Sequence, residues 1–311
     1  MDRTVSSPLR LTTSDVHHYQ TRGWVFLENA IGSDLLVDAH ARLRDRQAAQ
    51  AVAQTERYNE SGRVDLQKIP NLARRDESFL RLATAPAVAA AVEQLLGQEP
   101  LLFRDVMIVK PARDGAPLDY HQDSAYWDVE PRALISAWFP FRDVDVPDGC
   151  LRVIDGSHLQ FYQHDIMVDG ERALPGWMTA GLRRLASRAG TGDSDASGSA
   201  LARRLKNAIL GQLTRHFSVL AKLQDLHARV PMEEQRRAVD LPMRVGSVLL
   251  FHSMLLHASC PNTSTADRPA YIASYMGSDY EYVGVGEPKF LAAHDSTGRT
   301  FKSARRSHLR A

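Results

Sequence analysis

The amino-acid sequence predicts a mainly β fold of the sandwich or jelly-roll type, with helices before the strands. Short runs rich in β-branched and aromatic residues begin at Leu101, and Pro, Gly, Asp and Asn separate them, which is typical of strands joined by turns. No helical segment lies between the first three runs, and this disfavours a βαβ fold. The runs are LLFRDVMIV, LISAWFPF, LRVI, VGSVLLF, MLLHAS and AYIASYM.

Two helices are predicted ahead of these strands. The first begins at Ser33, a residue type that caps helices, and continues through LLVDAHARLRDRQAAQAVAQ with apolar residues at helical spacing. The second is APAVAAAVEQLLG, with Thr84 as its N-cap and Pro86 in its first turn. Gly97 stands where a left-handed residue would end that helix.

A helical insertion is predicted at about 160–241. The sequence LARRLKNAILGQLTRHFSVLAKLQDLHARV follows the Gly/Ser/Asp-rich stretch SRAGTGDSDASGSA, which is typical of a flexible loop. Strand-like sequence resumes at Met243, so the block interrupts one domain spanning 1–311 and does not form a second domain. We predict that it forms a lid over the active site.

Charge and cysteine content limit the class of partner. Lys and Arg number 38 against 37 Asp and Glu, a formal charge of +1, so neither nucleic acid nor an anionic membrane surface is expected. A small-molecule substrate is the expected partner, and the sequence leaves the oligomeric state open. Only two cysteines occur, without a CxxC motif, and no signal peptide or 18-residue apolar stretch is visible, which predicts a protein of the reducing cytoplasm.

The segment YHQDSAYW contains the first candidates for a metal site, His121 and Asp123. Side chains two apart on a β-strand point to the same face, so both can reach one metal while Gln122 points elsewhere. Non-haem Fe(II) oxygenases bind iron through two histidines and one carboxylate and leave positions open for a cosubstrate and dioxygen. His257 is the best candidate for the second histidine, because it ends a strand-like run and precedes a turn rich in Pro and Asn.

Arg268 stands eleven residues after His257, just before another strand-like run. A buried guanidinium can bind the distal carboxylate of 2-oxoglutarate through two parallel hydrogen bonds, which a lysine cannot do. Taken singly, each of these residues more often has an ordinary structural or surface role, since an HxD triplet is common by chance. The ordered set of HxD, distal histidine and arginine is what predicts an oxygenase site.

These residues resemble the phytanoyl-CoA dioxygenase family of Fe(II)/2-oxoglutarate oxygenases, and the resemblance covers most of the chain outside the insertion. It is carried by LTTSDVHHYQTRGWVFLENAI, HQDSAYW, DGCLRVIDGSH and HASCPNTSTADR. It implies a double-stranded β-helix (jelly roll, cupin-like) with Fe(II) at one open end and with 2-oxoglutarate and O2 as cosubstrates. It places Ser259, Trp138 and Lys68 beside 2-oxoglutarate. Asp148 and Asp155 depart from the usual Asn and Pro of the family's turn, which puts local turn geometry in question.

The resemblance implies hydroxylation of a small organic substrate, and an Ala/Arg-rich composition suggests bacterial natural-product metabolism. Related halogenating enzymes lack the carboxylate ligand that Asp123 supplies. Desaturation, epoxidation and ring closure use the same triad and stay open. The alternatives are a metal-dependent isomerase or hydrolase that does not use 2-oxoglutarate, and a β-sandwich binding module. Substrate contacts are predicted from the residues flanking the metal strand, namely Tyr120, Gln122, Tyr126 and Trp127.

Overall fold

Two antiparallel β-sheets and a layer of helices form the fold, which a computed structural model describes over residues 10–48, 55–58, 61–168, 171–174, 225–282 and 291–292. The helices are α1 (Thr13–Arg22), α2 (Ser33–Ala48), α3 (Glu77–Ala83), α4 (Pro86–Leu96) and the single turn α5 (Met232–Gln235). The strands are β1 (Trp24–Leu27), β2 (Thr55–Tyr58), β3 (Val64–Pro70), β4 (Pro100–Lys110), β5 (Leu118–His121), β6 (Val129–Glu130), β7 (Ile135–Pro140), β8 (Leu151–Val153), β9 (His164–Val168), β10 (Glu171–Leu174), β11 (Asp225–Ala228), β12 (Val239–Leu241), β13 (Val248–His252), β14 (His257–Ser259), β15 (Arg268–Gly277), β16 (Glu281–Tyr282) and β17 (Leu291–Ala292).

The strands form a jelly roll, as the sequence predicts. The larger sheet has the order β1-β13-β7-β15-β4-β3-β2, with β17 paired to β4, and the smaller sheet has the order β12-β8-β14-β5. From β4 to β15 the chain passes repeatedly from one of these sheets to the other, which is how a double-stranded β-helix is wound. Two small sheets, β10-β9-β11 and β16-β6, lie outside them.

Alternation along the strands of the larger sheet divides the core into two parts. On β15, Tyr271, Ala273 and Tyr275 face the helices and join one apolar cluster with residues of α2, α3 and α4. Ala270 and Ile272 face the smaller sheet, where they pack in a second cluster. The larger sheet is therefore buried on both faces, against the helices on one and against the smaller sheet on the other.

At the helix ends one prediction is wrong, the N-cap of α4. Gly97 ends α4 with a left-handed φ of 68°, and Pro86 is its first residue, as predicted. Thr84 is not the N-cap of α4; Ala85 holds that position without a side-chain hydrogen bond. The Thr84 hydroxyl donates instead to the carbonyl of Leu80 (2.8 Å), because Thr84 ends the preceding helix, α3.

Among the described residues no single helix has the length and apolar character to cross a membrane, although α3 and α4, bent by 44° where they meet, would have both if taken together.

The described part of the predicted insertion is mainly β structure, with the single helical turn α5 between β11 and β12. Residues 225–230, which the sequence assigned to a helix, contain β11, and β11 pairs with β9. The helix prediction is therefore wrong for residues 225–228. These residues form a strand because they also lie against β5, and the Leu226 N–H donates to the Tyr126 hydroxyl (2.8 Å). The preceding stretch, 175–224, lies outside the described residues. The lid stays a prediction.

The two departures from the family turn have local partners. The Asp148 carboxylate accepts a hydrogen bond from Arg142 (2.7 Å), and Asp155 accepts one from the Trp24 indole N–H (2.7 Å). The glycine that follows each aspartate has a left-handed φ, 80° and 74° respectively. Both turns therefore have a glycine in the left-handed conformation, and the carboxylates of Asp148 and Asp155 each accept a hydrogen bond.

Protonation of His252 should lower the stability of the fold as the pH is lowered. Burial lowers its pKa from 6.5 to about 4, and its Nδ1 accepts a hydrogen bond from the Met254 N–H (3.0 Å), which protonation of Nδ1 would remove. The imidazole is neutral in both the folded and unfolded states above pH 6.5, so the loss begins below that pH and is complete near pH 4. We expect about 3 kcal/mol of unfolding free energy to be lost.

Urea denaturation of the metal-free protein between pH 7 and pH 4 would measure this loss. His252→Asn keeps an acceptor and removes the titration, so its stability should fall less over that range. Equal pH slopes for the wild type and the variant would contradict the assignment to His252.

Candidate metal centre and cosubstrate cavity

His121 and Asp123 reach the same side of the smaller sheet, although they do not share one strand as predicted. His121 ends β5, and Asp123 begins a turn of 3₁₀ helix. Gln122 between them has an extended backbone (φ −116°, ψ 125°), so the alternation of side chains continues past the strand. The strand ends because the Gln122 N–H bonds to His164 Nε2 (3.1 Å) and not to a neighbouring strand.

His257 completes a group of three possible metal ligands. It lies opposite His121 in the pairing of β14 with β5. Asp123 Oδ1 lies 4.0 Å from Nε2 of His121 and 3.8 Å from Nε2 of His257, and one ligand atom from each residue lies within 4.8 Å of the others. His257 begins β14 and does not end a strand, because a turn closed by the Leu255 N–H and the His252 carbonyl (2.8 Å) precedes it.

Backbone carbonyls orient both imidazoles. Nδ1 of His121 lies 2.8 Å from the Asp119 carbonyl, and Nδ1 of His257 lies 2.9 Å from the Leu255 carbonyl. A carbonyl accepts only, so each Nδ1 carries the proton and each Nε2 keeps a lone pair directed to the shared point. Burial, followed by the charge of His257, holds the pKa of His121 well below its usual value of 6.5. The neutral ring is the form that binds a metal.

Ser136 fixes the third group. Its buried hydroxyl donates to Asp123 Oδ2 (2.8 Å), which leaves Oδ1 beside the two histidines, and it also contacts the Ser274 hydroxyl (3.0 Å). Ser136 lies on β7, so the larger sheet positions a ligand that the smaller sheet supplies.

Ser136→Ala should weaken metal binding roughly tenfold to 100-fold, because Asp123 would lose the donor that orients it. Titration of the metal-free protein with Co(II), followed by its visible absorption, measures the dissociation constant. Ser247→Ala is a matched control, since it removes another buried hydroxyl that donates to a carboxylate, that of Glu28 (2.8 Å), and neither residue lines the cavity of the triad. Equal affinities of the two variants would argue against an orienting role.

The triad opens onto a cavity between the two sheets, and Arg268 lines the same cavity. Arg268 is 2% exposed, its Nε has no hydrogen-bond partner among the described residues, and its Cζ lies 5.6 Å from the ring centre of Trp138. Burial lowers its pKa to about 10, so it remains a cation near pH 7. The buried Ser259 hydroxyl likewise has no partner there. These groups form a buried site for an anion.

Lys68 and Trp138 also line this cavity, where the resemblance places them. Lys68 lies opposite Ile108 in the pairing of β3 with β4. Its charge contributes to the lowered pKa of His121, so its ammonium group acts on the triad. All four residues expected around 2-oxoglutarate therefore lie in one cavity with the three expected ligands.

Gln122 and Tyr120 lie outside the cavity lining, so the prediction that they contact substrate is corrected. Their neighbours in sequence, Asp119, His121 and Asp123, line the cavity. Because side chains alternate along the strand, Tyr120 and Gln122 point away from it. Gln122 is fully buried, and its Nε2 donates to the carbonyls of Gln160 (2.8 Å) and Met254 (2.5 Å). Tyr120 packs against an apolar cluster behind the strand.

Tyr126 and Trp127 do line the cavity. The Tyr126 ring meets His121 edge-on, with 5.9 Å between ring centres, and its hydroxyl holds β11 through Leu226. Trp127 is 6% exposed, and its indole N–H has no partner among the described residues. Part of the cavity wall, beside His121, is therefore aromatic.

Several cavity residues were not predicted, chiefly Arg104, Ser274 and His227. His227 lies 3.2 Å from Asp119 across the cavity mouth. Arg104 could have been found from alternation, since Arg104, Val106 and Ile108 share one face of a predicted strand. Which face points inward depends on long-range pairing, which the sequence does not contain.

The profile of the phytanoyl-CoA dioxygenase (PhyH) family matches residues 19–270. An L-proline trans-4-hydroxylase of Streptomyces griseoviridis is 27% identical over 230 residues, which are 71% of this chain and 71% of that protein. Human peroxisomal phytanoyl-CoA dioxygenase is 23% identical over 215 residues, 68% of this chain and 49% of that protein. The chain thus spans about half the length of the phytanoyl-CoA dioxygenase it matches.

Solved structures share the fold. The epimerase SnoN of nogalamycin biosynthesis, in complex with Fe3+, alpha ketoglutarate and nogalamycin RO, superposes with a TM-score of 0.60 at 18% identity, over 94% of this chain and 93% of that one. At this identity the similarity establishes the jelly roll, and the residues of the site rest on the geometry above.

Proposed function

The chain belongs to the phytanoyl-CoA dioxygenase family of Fe(II)- and 2-oxoglutarate-dependent oxygenases, and we propose that it hydroxylates a small organic molecule at an iron held by His121, Asp123 and His257. One observation carries this proposal: the triad and the buried Arg268 line the same cavity. A His/Asp/His group alone suits several metals and reactions. In the described part of the chain the buried Arg268 forms no salt bridge, so it is suited to bind an anion, and 2-oxoglutarate would bind both the metal and this arginine.

The residues that line the cavity fit both Fe(II) and 2-oxoglutarate. Two imidazoles and one carboxylate are the ligand set for Fe(II) in this class of enzyme, and they would leave coordination positions for a cosubstrate and dioxygen. Arg268 and Ser259 are both buried, and each has a polar atom without a partner in the described ranges; they would hold the distal carboxylate of 2-oxoglutarate. Lys68 and Trp138 would flank the cosubstrate along the cavity.

With 2-oxoglutarate and O2, iron supplies oxidative decarboxylation to succinate and CO2 and transfer of one oxygen atom to a C–H bond. The chain orients the reactants for that chemistry. The backbone carbonyls that fix the imidazoles and the Ser136 hydroxyl on Asp123 keep the ligands in place before substrate arrives. Tyr126, Trp127 and neighbouring apolar side chains exclude water from the open side.

Hydroxylation is proposed over halogenation because Asp123 occupies the coordination position that a halide would need. We place the reaction in bacterial natural-product metabolism and in the cytoplasm. The two free cysteines support a reducing compartment, and the epimerase of similar fold named above belongs to nogalamycin biosynthesis. The described β11, which contributes Leu226 and His227 to the cavity, supports the proposal that the insertion closes over the site.

The test is a screen of small molecules with Fe(II), 2-oxoglutarate and 18O-labelled dioxygen, read by mass spectrometry. A hydroxylated product with one 18O atom and one equivalent of succinate is the expected result. A product that forms without succinate and without the label would instead support the isomerase or hydrolase alternative. Ring closure or desaturation would give succinate and a product two hydrogens lighter, which would retain the oxygenase and overturn hydroxylation.

A further inference from the structure

We propose that the substrate carries a carboxylate and that Arg104, at the mouth of the cavity, binds it. This inference rests on the proposed function, since it names the class of molecule that the same site takes. Arg104 is an exposed residue of β4, and its side chain lines the cavity together with the triad.

Strand pairing places Arg104 at the metal end of the cavity. Arg104 lies opposite Ser274 on β15, and Ser274 lies opposite Ser136 on β7. Ser136 is the residue that donates to Asp123, so Arg104 lies in the same row of the sheet as a proposed iron ligand. Neighbouring strands lie about 4.8 Å apart, which puts Arg104 within reach of a small molecule bound beside the metal.

The cosubstrate's arginine lies at the other end of the same strand pair. Arg268 lies opposite Lys110, six residues along β15 from Ser274, which is about 20 Å of strand. A single molecule of 2-oxoglutarate that pairs with Arg268 would therefore be too short to reach Arg104 as well. The cavity thus has two separate guanidinium groups, and the proposed function uses one.

Arg104 has no acidic partner among the described residues. No carboxylate of that part of the chain lies within 4.0 Å of its guanidinium, which lies over the Trp127 ring with 5.7 Å between Cζ and the ring centre. The adjacent Asp105 is on the opposite face of β4, where its carboxylate accepts from the Ala73 N–H (3.0 Å). The other acidic group at the mouth, Asp119, pairs with His227.

Trp127 supplies a second, independent sign of an anion. Its side chain lines the cavity, it is 6% exposed, and its indole N–H is a buried donor with no partner in the described part of the chain. A buried donor without an acceptor destabilises the fold, so such a group often serves to bind a ligand. Arg104 and Trp127 together offer a cation and a neutral donor at one corner of the cavity.

This pair fits a carboxylate better than a phosphate. The planar guanidinium matches the two oxygens of a carboxylate, and the indole N–H can add one hydrogen bond. A phosphate carries more charge and more acceptor oxygens than one arginine and one indole can satisfy. We therefore infer a small acid, whose carboxylate Arg104 holds while an adjacent C–H bond faces the metal.

The test uses protein loaded with Ni(II) and one equivalent of 2-oxoglutarate, so that no turnover occurs and the Arg268 site is filled. The probes are benzoate, cyclohexanecarboxylate and L-proline, each paired with its primary amide, titrated by ligand-observed NMR at constant ionic strength. At least one acid should bind the wild type tenfold or more tightly than its amide. Arg104→Gln should reduce that ratio to about 1, and Arg104→Lys should retain part of it.

Arg244→Gln is the matched control, because Arg244 is exposed and pairs with Asp143 away from the cavity, and it should leave the ratio unchanged. An unchanged ratio in Arg104→Gln, or no acid preferred over its amide in the wild type, overturns the inference. The Fe(II)–2-oxoglutarate absorption band, measured on the same proteins, separates the two proposals. If the band forms and acid preference is missing, only the inference about Arg104 fails; if the band is missing, the proposed function fails.

Discussion

Replacing Arg268 with Leu should raise the KM for 2-oxoglutarate roughly 30- to 1000-fold. The side chain is buried and lines the cavity with Ser259, whose hydroxyl has no partner among the described residues, so the cosubstrate carboxylate would lose a buried cation. Truncating one partner of a buried, hydrogen-bonded charge pair costs about 2–4 kcal/mol, which corresponds to that factor. Succinate release at increasing 2-oxoglutarate concentration measures the effect.

The same variant should be more stable than the wild type when no ligand is present. In the ligand-free protein Arg268 is a buried cation without an acid beside it among the described residues, and burial lowers its pKa to about 10. Removing an uncompensated buried charge should raise the free energy of unfolding by about 1 kcal/mol or more. A rise in KM together with a gain in stability identifies a binding residue, whereas a purely structural arginine would give a loss of stability.

Arg152→Leu is the matched control for this variant. Arg152 forms hydrogen bonds to both oxygens of Asp240 (2.6 and 2.8 Å), and it does not line the cavity. Its loss should lower stability and leave the KM for 2-oxoglutarate unchanged. If Arg268→Leu keeps the wild-type KM, the cosubstrate site lies elsewhere.

Asp123→Ala should abolish turnover and weaken Fe(II) binding at least 100-fold. The carboxylate is the one anionic group of the triad, and its Oδ1 lies between the two imidazoles. Without it the metal would keep two neutral ligands on neighbouring strands, which is too few for tight binding of Fe(II). Iron content after anaerobic reconstitution and desalting measures the loss.

Asp119→Asn is a control for charge alone. Asp119 lines the same cavity, but it pairs with His227 and is outside the group of three ligands. This variant should keep its iron. Wild-type iron content in Asp123→Ala would exclude Asp123 as a ligand and with it the proposed centre.

The jelly roll was predictable because its strands are short, punctuated and alternating, which are local properties of sequence. The larger sheet confirms this at β4, β7 and β15. The Thr84 cap was not predictable, because Thr84 is also a suitable last residue for α3, and choosing between the two helices depends on where α3 packs. Likewise β11 forms a strand because β9 and the Tyr126 hydroxyl pair with it, and a helical periodicity does not contain those partners.

The candidate site shows the same division. His121, Asp123, His257 and Arg268 were found from spacing and from the resemblance, and the structure brings them to one cavity. Tyr120 and Gln122 were misplaced because the sequence does not say which face of β5 looks inward beyond the two ligands. Arg104 was missed for a related reason: its place beside the metal follows from pairing with Ser274, 170 residues later.

The most direct test of the account is the absorption spectrum of the anaerobic protein with Fe(II) and 2-oxoglutarate. Chelation of the iron by the keto acid gives a weak visible metal-to-ligand charge-transfer band. We predict that the band forms in the wild type, needs a much higher 2-oxoglutarate concentration in Arg268→Leu, and is absent in Asp123→Ala. A wild-type protein that binds iron but gives no band at any 2-oxoglutarate concentration would contradict the account and leave a metal site that serves a different reaction.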